Sequence, residues 1–516
     1  MKKRSFLHGT IILIIVNFIV RFLGFAYKIV LSRMIGPEGI GLFHLVFPIL
    51  MTLITFTTAG IPVSVSKLIA HYDSLNNKPY CNRIMGFSLL IGFSISTGFS
   101  ILLFHNAEFI STCIIKNKDT YFSLLALIPA IPLITLSSIF RGYYYGINKV
   151  KPVATSQILE QLFRIFFVIG TLYLCFPVNT KYGAMIATIG ISVGEFMGLL
   201  WLIFRFKFRK ALLPKRTYNF IKRTPKSPIK KILLISLPIT ISRLITVIMH
   251  SINAVWIPQR LQMAGYTAQE SINMFGKLAG MAFPLLFLPF IVTSALVVNI
   301  IPSISQEIAL KNISEIKLKS NLAIRMTLLI AIPTSALFLF FSKPICMFIY
   351  NQEDVSYYLT SLALATIFLS LHHTISGILH GMGKQVITTT FHLIGMSIQL
   401  LCTYYLVSNP KFGIYGYIYG FLFSSILICI LNIITLKYFI KTIDFSLSNS
   451  VLKPIIATGL MIISTINIYK ICFDQNINNI VSTLISTSIG FIIYVVIIIV
   501  SGSIGIKSLQ YIFTKK

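Results

Sequence analysis

The chain is poor in acidic side chains: its 516 residues contain 13 Asp and Glu against 44 Lys and Arg, and charged residues make up only 11%. A chain with so few charges and 56% hydrophobic residues does not have the composition of a soluble globular protein. The sequence also lacks an Asp-x-Asp motif, a nucleophile beside a base, and a glycine-rich phosphate loop. We therefore expect an integral membrane protein that is not an enzyme and uses no cofactor.

Cysteine is sparse and scattered, with seven residues and no Cys-x-x-Cys pair, which predicts neither a metal site nor a disulfide framework. His372, His373 and His380 lie on one predicted helix, but without an acidic or cysteine partner they predict no metal site. The net charge of +31 would indicate nucleic acid in a soluble protein. Membrane proteins instead collect Lys and Arg in cytoplasmic loops, so we expect no nucleic-acid partner.

Long apolar runs fill the chain. At about 20 apolar residues per crossing, the sequence predicts about fourteen transmembrane helices, near residues 10–32, 42–70, 84–104, 121–142, 154–176, 183–204, 231–256, 276–301, 322–341, 357–380, 385–407, 413–436, 452–472 and 480–502. With the N-terminus inside, the inner loops hold about 30 of the Lys and Arg residues and the outer loops about nine. This asymmetry predicts a multi-pass protein of the cell membrane with both termini in the cytoplasm.

The two halves of the chain repeat each other. Gly142-x3-Gly146-x2-Lys149 recurs as Gly377-x3-Gly381-x2-Lys384, and Lys181-Tyr-Gly183 with Gly190 recurs as Lys411-Phe-Gly413 with Gly420. An even number of helices per copy predicts two parallel six-helix bundles in an all-α membrane protein. We expect an N-terminal lobe with a basic linker at 1–225, a C-terminal lobe at 226–445, and two additional helices at 446–516. The basic stretch 205–231 marks the seam, as a cytoplasmic linker or a contact with anionic lipid.

The first helix carries an unusual polar stripe. Arg21 and Lys28 lie about 20° apart on the helix wheel, and Asn17 lies about 40° to the other side of Arg21. A cation at the bilayer centre costs roughly 2.5–3.5 kcal/mol, so the stripe is predicted to line a cavity. The alternative is that the cations reach the headgroups along their own stems, as Lys28 and Arg33 near the far end could do.

Other polar groups fall within the predicted spans. On the fifth helix, four residues share one face, and two of them form an i, i+4 ion pair, either structural or on the substrate path: Gln157, Glu160, Gln161 and Arg164. Lys67 is either a cavity cation or an interfacial anchor, and Arg243 is a further cavity candidate. Glu195 is the only other deep carboxylate, so that Glu160 and Glu195 are the candidates for ion coupling. Since cations outnumber carboxylates, the cavity favours an anionic substrate, and arginine suits phosphate oxygens.

The stretch from Asn17 to Leu42, with NxxxRxLGFxYKIxLSRxIGPEGIGL, resembles the polysaccharide-transporter branch of the multidrug/oligosaccharidyl-lipid/polysaccharide (MOP) exporter superfamily. The AGIPVSVSKLIA run from Ala59 to Ala70 and the Arg141–Lys149 step are similar to that family too. The resemblance implies a MATE-like V of two six-helix lobes with two extra helices, and alternating access. It also implies a polyprenyl-diphosphate-linked sugar, such as a peptidoglycan precursor, moved to the outer leaflet during spore cortex formation. By place in the helix, Arg21, Lys28 and Arg243 could act as the essential cavity cations of the related lipid II flippases.

We therefore expect a flippase for a lipid-linked anionic substrate. One rival is a cation-coupled multidrug antiporter that uses Glu160 and Glu195. The other is a non-transporting membrane scaffold for cell-wall synthesis enzymes, which are also conceivable partners of a flippase.

Overall fold

The computed structural model describes residues 2–58, 60–75, 77–212, 228–440 and 451–502, and the regular structure of these residues is entirely helical. Most of the basic stretch 205–231 and the predicted boundary at 445/446 lie outside the described residues. Packing divides the chain into two compact units, Met1–Gly276 and Lys277–Lys516. The lobe boundary at 225/226 stays a prediction.

The first unit contains nine helices over its described residues, with a π-helical turn at Ile110–Ile114 and a 3₁₀ turn at Lys118–Thr120 before the fourth. They are α1 Lys2–Thr58, α2 Ile61–Ser74, α3 Lys78–Phe109, α4 Tyr121–Leu127, α5 Ala130–Gly146, α6 Lys151–Leu174, α7 Thr180–Leu212, α8 Ile229–Met263 and α9 Ala268–Gly276.

The second unit begins with a π-helical turn at Lys277–Ala282. Nine helices follow over its described residues: α10 Phe283–Leu286, α11 Pro289–Ala309, α12 Ile313–Phe340, α13 Ser342–Tyr350, α14 Val355–Gly381, α15 Gln385–Tyr405, α16 Ile414–Ile440, α17 Lys453–Asp474 and α18 Asn479–Val500. The last two helices pack on each other and on α12 through a cluster that includes Leu329, Met461 and Tyr494.

The long helix α1 is two helices joined at Gly36, whose φ of 69° and ψ of 177° are not helical. Glycine reaches this conformation without a Cβ clash, and Pro37 has no N–H to continue the backbone hydrogen bonds of the helix. The helix is therefore kinked at Gly36, within the predicted gap between spans one and two.

Within the described residues, twelve helical stretches are long and apolar enough to cross a membrane, so the chain is a multi-pass membrane protein. The predicted count of fourteen is not confirmed. One of the twelve, Phe18–Ser74, has 57 residues and holds two predicted spans, since about 85 Å of helix suffices for two crossings. The other difference concerns α8. A span was predicted there at 231–256, but α8 is not among the twelve stretches.

The glycines of the repeat pack in matching ways in the two units. A Cβ at Gly142 would meet Pro62 of α2 at 2.5 Å, and one at Gly377 would meet Val297 of α11 at 2.7 Å. Gly190 of α7 lies against Val168 of α6, and its counterpart Gly420 of α16 lies against Cys402 of α15. Small residues allow this close approach between membrane helices. The duplication predicted from sequence is therefore also present in the packing.

Candidate functional site

The predicted stripe on α1 flanks the packed face of that helix. Tyr27, Leu31 and Ile35 are buried against α6 and α7. A side chain added at Gly24 would point at the amide group of Gln161. Arg21 and Lys28 lie about 75° and 55° from the centre of that face, and both are exposed. The two cations thus border the bundle and do not point directly away from it. Asn17 lies in α1, but its side chain is outside the part that the structure describes.

Arg243 lies on α8 between two residues of that helix that pack against other parts of the first unit. Ser236, about 20° from it on the wheel, is buried against the backbone at Gly60. Further along, the hydroxyl of Ser251 lies 2.9 Å from that of Thr52. Arg243 falls between these two contacts in sequence and is exposed. Its guanidinium group is therefore accessible although α8 is packed on either side of it.

Lys67 is also exposed, but it lies apart from the packed face of α2. The buried residues of that helix run from Ile61 to Tyr72, and Lys67 is about 130° from their centre on the wheel. Its placement agrees with the alternative of an anchoring lysine at least as well as with a role in a cavity.

Four charged side chains meet between α5, α6 and α7. Arg141 donates from Nη2 to Glu160 Oε2 at 2.8 Å and to Glu195 Oε2 at 3.2 Å, while Arg164 Nη2 donates to Glu160 Oε1 at 2.7 Å. The side chains are 7–19% exposed. We name Arg141, Glu160, Arg164 and Glu195 the charge quartet; its formal net charge is zero.

Glycines of α7 bring the quartet together. A Cβ on Gly194 would lie 2.6 Å from the carbonyl oxygen of Glu160 and 3.4 Å from Nε of Arg164, and one on Gly198 would lie 3.4 Å from Cβ of Glu160. Because these positions carry no side chain, α7 approaches α6 closely beside Glu160 and Arg164. Gly190, Gly194 and Gly198 recur at intervals of four residues, and all three face α6.

The quartet corrects the charge balance expected from sequence. The Glu160–Arg164 pair was predicted and is present, but Arg164 is not an uncompensated cation, because Glu160 neutralises it. Arg141 was not among the predicted site residues, although it lies in α5 and bonds both carboxylates. The sequence did contain a signal for this cation. Glu160 and Glu195 are two deep carboxylates with only Arg164 nearby in sequence, and a buried carboxylate is costly without a cationic partner.

The two predicted glutamines lie beside the quartet. Gln161 is 5% exposed and faces Gly24 of α1. Gln157 is half-buried, and its Oε1 is a buried acceptor without a hydrogen-bond partner among the described residues. The structure thus places Gln161 of α6 against α1 at Gly24.

The second unit has a polar but uncharged counterpart. Helices α14, α15 and α16 bring together the parallel rings of His372 and His392, with centroids 6.0 Å apart, and Asn432, whose Nδ2 lies 3.1 Å from His372 Nδ1. His392 follows Gln157 by 235 residues, the interval of the repeated glycines. Among the described residues no three His, Cys, Asp or Glu side chains are placed to hold a metal ion.

None of the predicted site residues lines the groove of about 400 Å³ in the first unit. That groove lies between α1, α8 and the turn at Cys113–Ile114, where Gln259 Nε2 donates to the carbonyl of Ile114 at 2.5 Å. The predicted site residues therefore lie on α1, α2, α6, α7 and α8, outside this apolar groove.

Comparison with known proteins gives consistent matches. Residues 6–307 match the family model described as polysaccharide biosynthesis protein, and residues 277–405 match the model named MatE. Stage V sporulation protein B of Bacillus subtilis (strain 168) is 27% identical over 88% of this chain and 88% of its own length. The lipid II flippase MurJ of the same organism is 23% identical over 77% of this chain and 76% of its own.

A solved structure of the lipid II flippase MurJ in an inward closed conformation has the same fold, with a TM-score of 0.65 at 19% identity, covering 95% of this chain and 98% of that one. The first family model spans more than half of the chain. This chain belongs to the polysaccharide biosynthesis protein family.

Proposed function

We propose that this chain is a flippase that moves a polyprenyl-diphosphate-linked sugar from the inner to the outer leaflet of the cell membrane by alternating access, in spore cortex formation. The observation that carries the proposal is the exposed cationic stripe of Arg21 and Lys28 beside the packed face of an apolar helix. A cationic stripe inside a span faces a polar or aqueous region. The stripe and Arg243 hold the diphosphate, and the sugars lie near Asn17, Gln157 and Gln161.

The charge quartet argues against the antiporter alternative. Coupling by Glu160 and Glu195 would need carboxylates that can exchange a cation, whereas both already accept hydrogen bonds from arginine. The quartet carries no formal net charge, whereas the stripe and Arg243 contribute only cations to the site. An anionic substrate is therefore favoured over a cationic drug.

The names of the relatives support the same class. One is called a lipid II flippase and another a sporulation protein; neither name describes an enzyme. The excess of Lys and Arg in alternate loops supports cytoplasmic termini. Two negative charges moving outward across 100 mV, negative inside, gain about 4.6 kcal/mol, so the membrane potential is a sufficient driving force.

The direct test is transbilayer movement of a fluorescent polyprenyl-diphosphate sugar in proteoliposomes. We expect movement above that of protein-free vesicles, and faster movement when a potassium diffusion potential drives the anion. Absence of movement by folded protein would contradict the flippase and favour the scaffold. Uptake of cationic drugs that is lost in both Glu160→Gln and Glu195→Gln would favour the antiporter.

A further inference from the structure

The second unit has a polar cavity of about 400 Å³ at one end of its helices. Its wall is formed by the first residues of α13, the first turns of α14 and the start of α16, together with Glu353 in the connection between α13 and α14. We name this cavity the end pocket. It contains no residue of the candidate site described above.

The floor of the end pocket is made of hydroxyl groups. Ser342 is buried, and its Oγ lies 2.7 Å from Oγ1 of Thr360; Ser356 and Ser361 lie beside them. A hydroxyl group has one donor hydrogen and two acceptor lone pairs, so a Ser–Thr pair keeps capacity for a further partner. The floor can therefore both donate to and accept from a neutral polar ligand.

One side of the pocket is an ion pair that the local fold holds in place. Lys343 Nζ lies 2.6 Å from Glu353 Oε1, and this hydrogen bond raises the pKa of Lys343. Asn351 ends α13 with a φ of 54°, which turns the chain so that Glu353 comes back to Lys343. The connection is tied on either side, because Tyr350 Oη donates to the carbonyl of Met281 and Lys277 bonds Asp354 at 2.8 Å.

The ion pair itself is poorly placed to stabilise the fold. The two side chains are 64% and 46% exposed, and such surface pairs contribute little to stability. The ammonium group retains donor hydrogens and the carboxylate retains lone pairs beyond their mutual contact. The pair thus places strong donors and acceptors side by side with no net charge.

Two tyrosines complete the pocket. Tyr357 is 60% exposed, whereas Tyr415 is held between the rings of Tyr358 at 6.3 Å and Tyr419 at 6.4 Å. An aromatic ring offers an apolar face, and tyrosine adds a polar tip, which suits a ligand with both kinds of surface. Sugar rings have this character, with an apolar C–H face and a rim of hydroxyl groups.

The pocket lies at the end of α12 that faces outward under the predicted topology. That helix begins beside Lys311, Lys317 and Lys319, a basic cluster of the kind that stays in the cytoplasm. Its 28 residues extend about 42 Å, enough to cross a membrane, and the end pocket begins two residues after its last residue.

We propose that the end pocket binds one or two uncharged sugar rings at the outer face of the membrane. The assignment of that sugar to a delivered lipid-linked substrate rests on the proposed function; sugar binding itself does not. The same chemistry is found in a free glycan strand of the cell wall, and competition distinguishes the two sources.

The test is saturation-transfer NMR of N,N′-diacetylchitobiose with the full-length protein in nanodiscs. We expect transfer to the wild type, at least tenfold weaker binding by Tyr357→Ala and by Glu353→Gln, and unchanged binding by Tyr438→Ala. Tyr438 is a matched control, since it is 78% exposed at the other end of α16. All substituted side chains are exposed, so the variants should fold.

Displacement of the disaccharide by a polyprenyl-diphosphate sugar assigns the pocket to the transported substrate, and displacement by a soluble glycan strand alone assigns it to the wall; both support the proposal. No transfer to the wild type, or equal binding by Tyr357→Ala and Tyr438→Ala, overturns it. If the disaccharide binds while the proteoliposomes show no lipid movement, only the proposed function is lost.

Discussion

Glu160 is bonded to two arginines at once, and this sharing makes the charge quartet compatible with the interior of a membrane protein. Removing one partner of a buried ion pair is costly because it leaves the other charge uncompensated. The i, i+4 spacing was enough to predict the Glu160–Arg164 bond. It could not reveal Arg141 or Glu195 as its neighbours, because they come from other helices and only the packing of α5 and α7 brings them near.

We predict that Glu160→Gln lowers the free energy of unfolding by about 3 kcal/mol, because Arg164 loses the carboxylate that neutralises it. Glu195→Gln should cost only about 1 kcal/mol, because Arg141 keeps its shorter bond to Glu160 and the amide oxygen still accepts, and it should retain transport. Unfolding in detergent micelles with a chemical denaturant measures both changes.

The double variant Glu160→Gln/Arg164→Gln is the control for charge balance, since it restores neutrality. We expect it to be more stable than Glu160→Gln alone. Equal losses for Glu160→Gln and Glu195→Gln would mean that the shared carboxylate has no special role.

At the scale of helices, the hydrophobic runs predicted one of the two breaks near the N-terminus and missed the other. The break at Gly36 fell inside the predicted gap at 33–41. A second break at Gly60 falls inside the predicted span 42–70, since α1 ends at Thr58 and α2 begins at Ile61. Its cause is tertiary: Gly60 is packed against the backbone of Ser236, a contact that no local window contains.

The α6–α7 contact gives a prediction with a matched control. Gly194→Ala places a methyl group 2.6 Å from the Glu160 carbonyl oxygen, so it should separate the helices and cost about 2 kcal/mol. Gly170→Ala, on α6, meets nothing within 4 Å and should be neutral or stabilise by about 0.5–1 kcal/mol through helix propensity.

Thermal unfolding of the two variants beside the wild type measures this difference. A Gly194→Ala protein as stable as Gly170→Ala would show that close approach of α6 and α7 is not needed to hold the charge quartet together.

At the scale of the whole chain, the duplication explains why each unit has a polar cluster on equivalent helices with different chemistry. The first copy holds Arg and Glu, and the second holds His372, His392 and Asn432. Glycine spacing revealed the repeat because close helix contacts require small residues at fixed intervals. The polar residues diverged, so the sequence could not predict how either cluster is connected.

The central claim is that the stripe on α1 binds the diphosphate, and the rate of lipid movement in proteoliposomes tests it with two variants of one helix. Arg21→Ala should slow movement of the polyprenyl-diphosphate sugar by at least about tenfold, as expected for loss of a charge-assisted hydrogen bond worth roughly 1.5–3 kcal/mol. Arg33→Ala removes the same side chain nearer the far end of the span and should leave the rate within about twofold. Equal rates for Arg21→Ala and Arg33→Ala, with wild-type movement intact, would contradict the claim and move the diphosphate site away from α1.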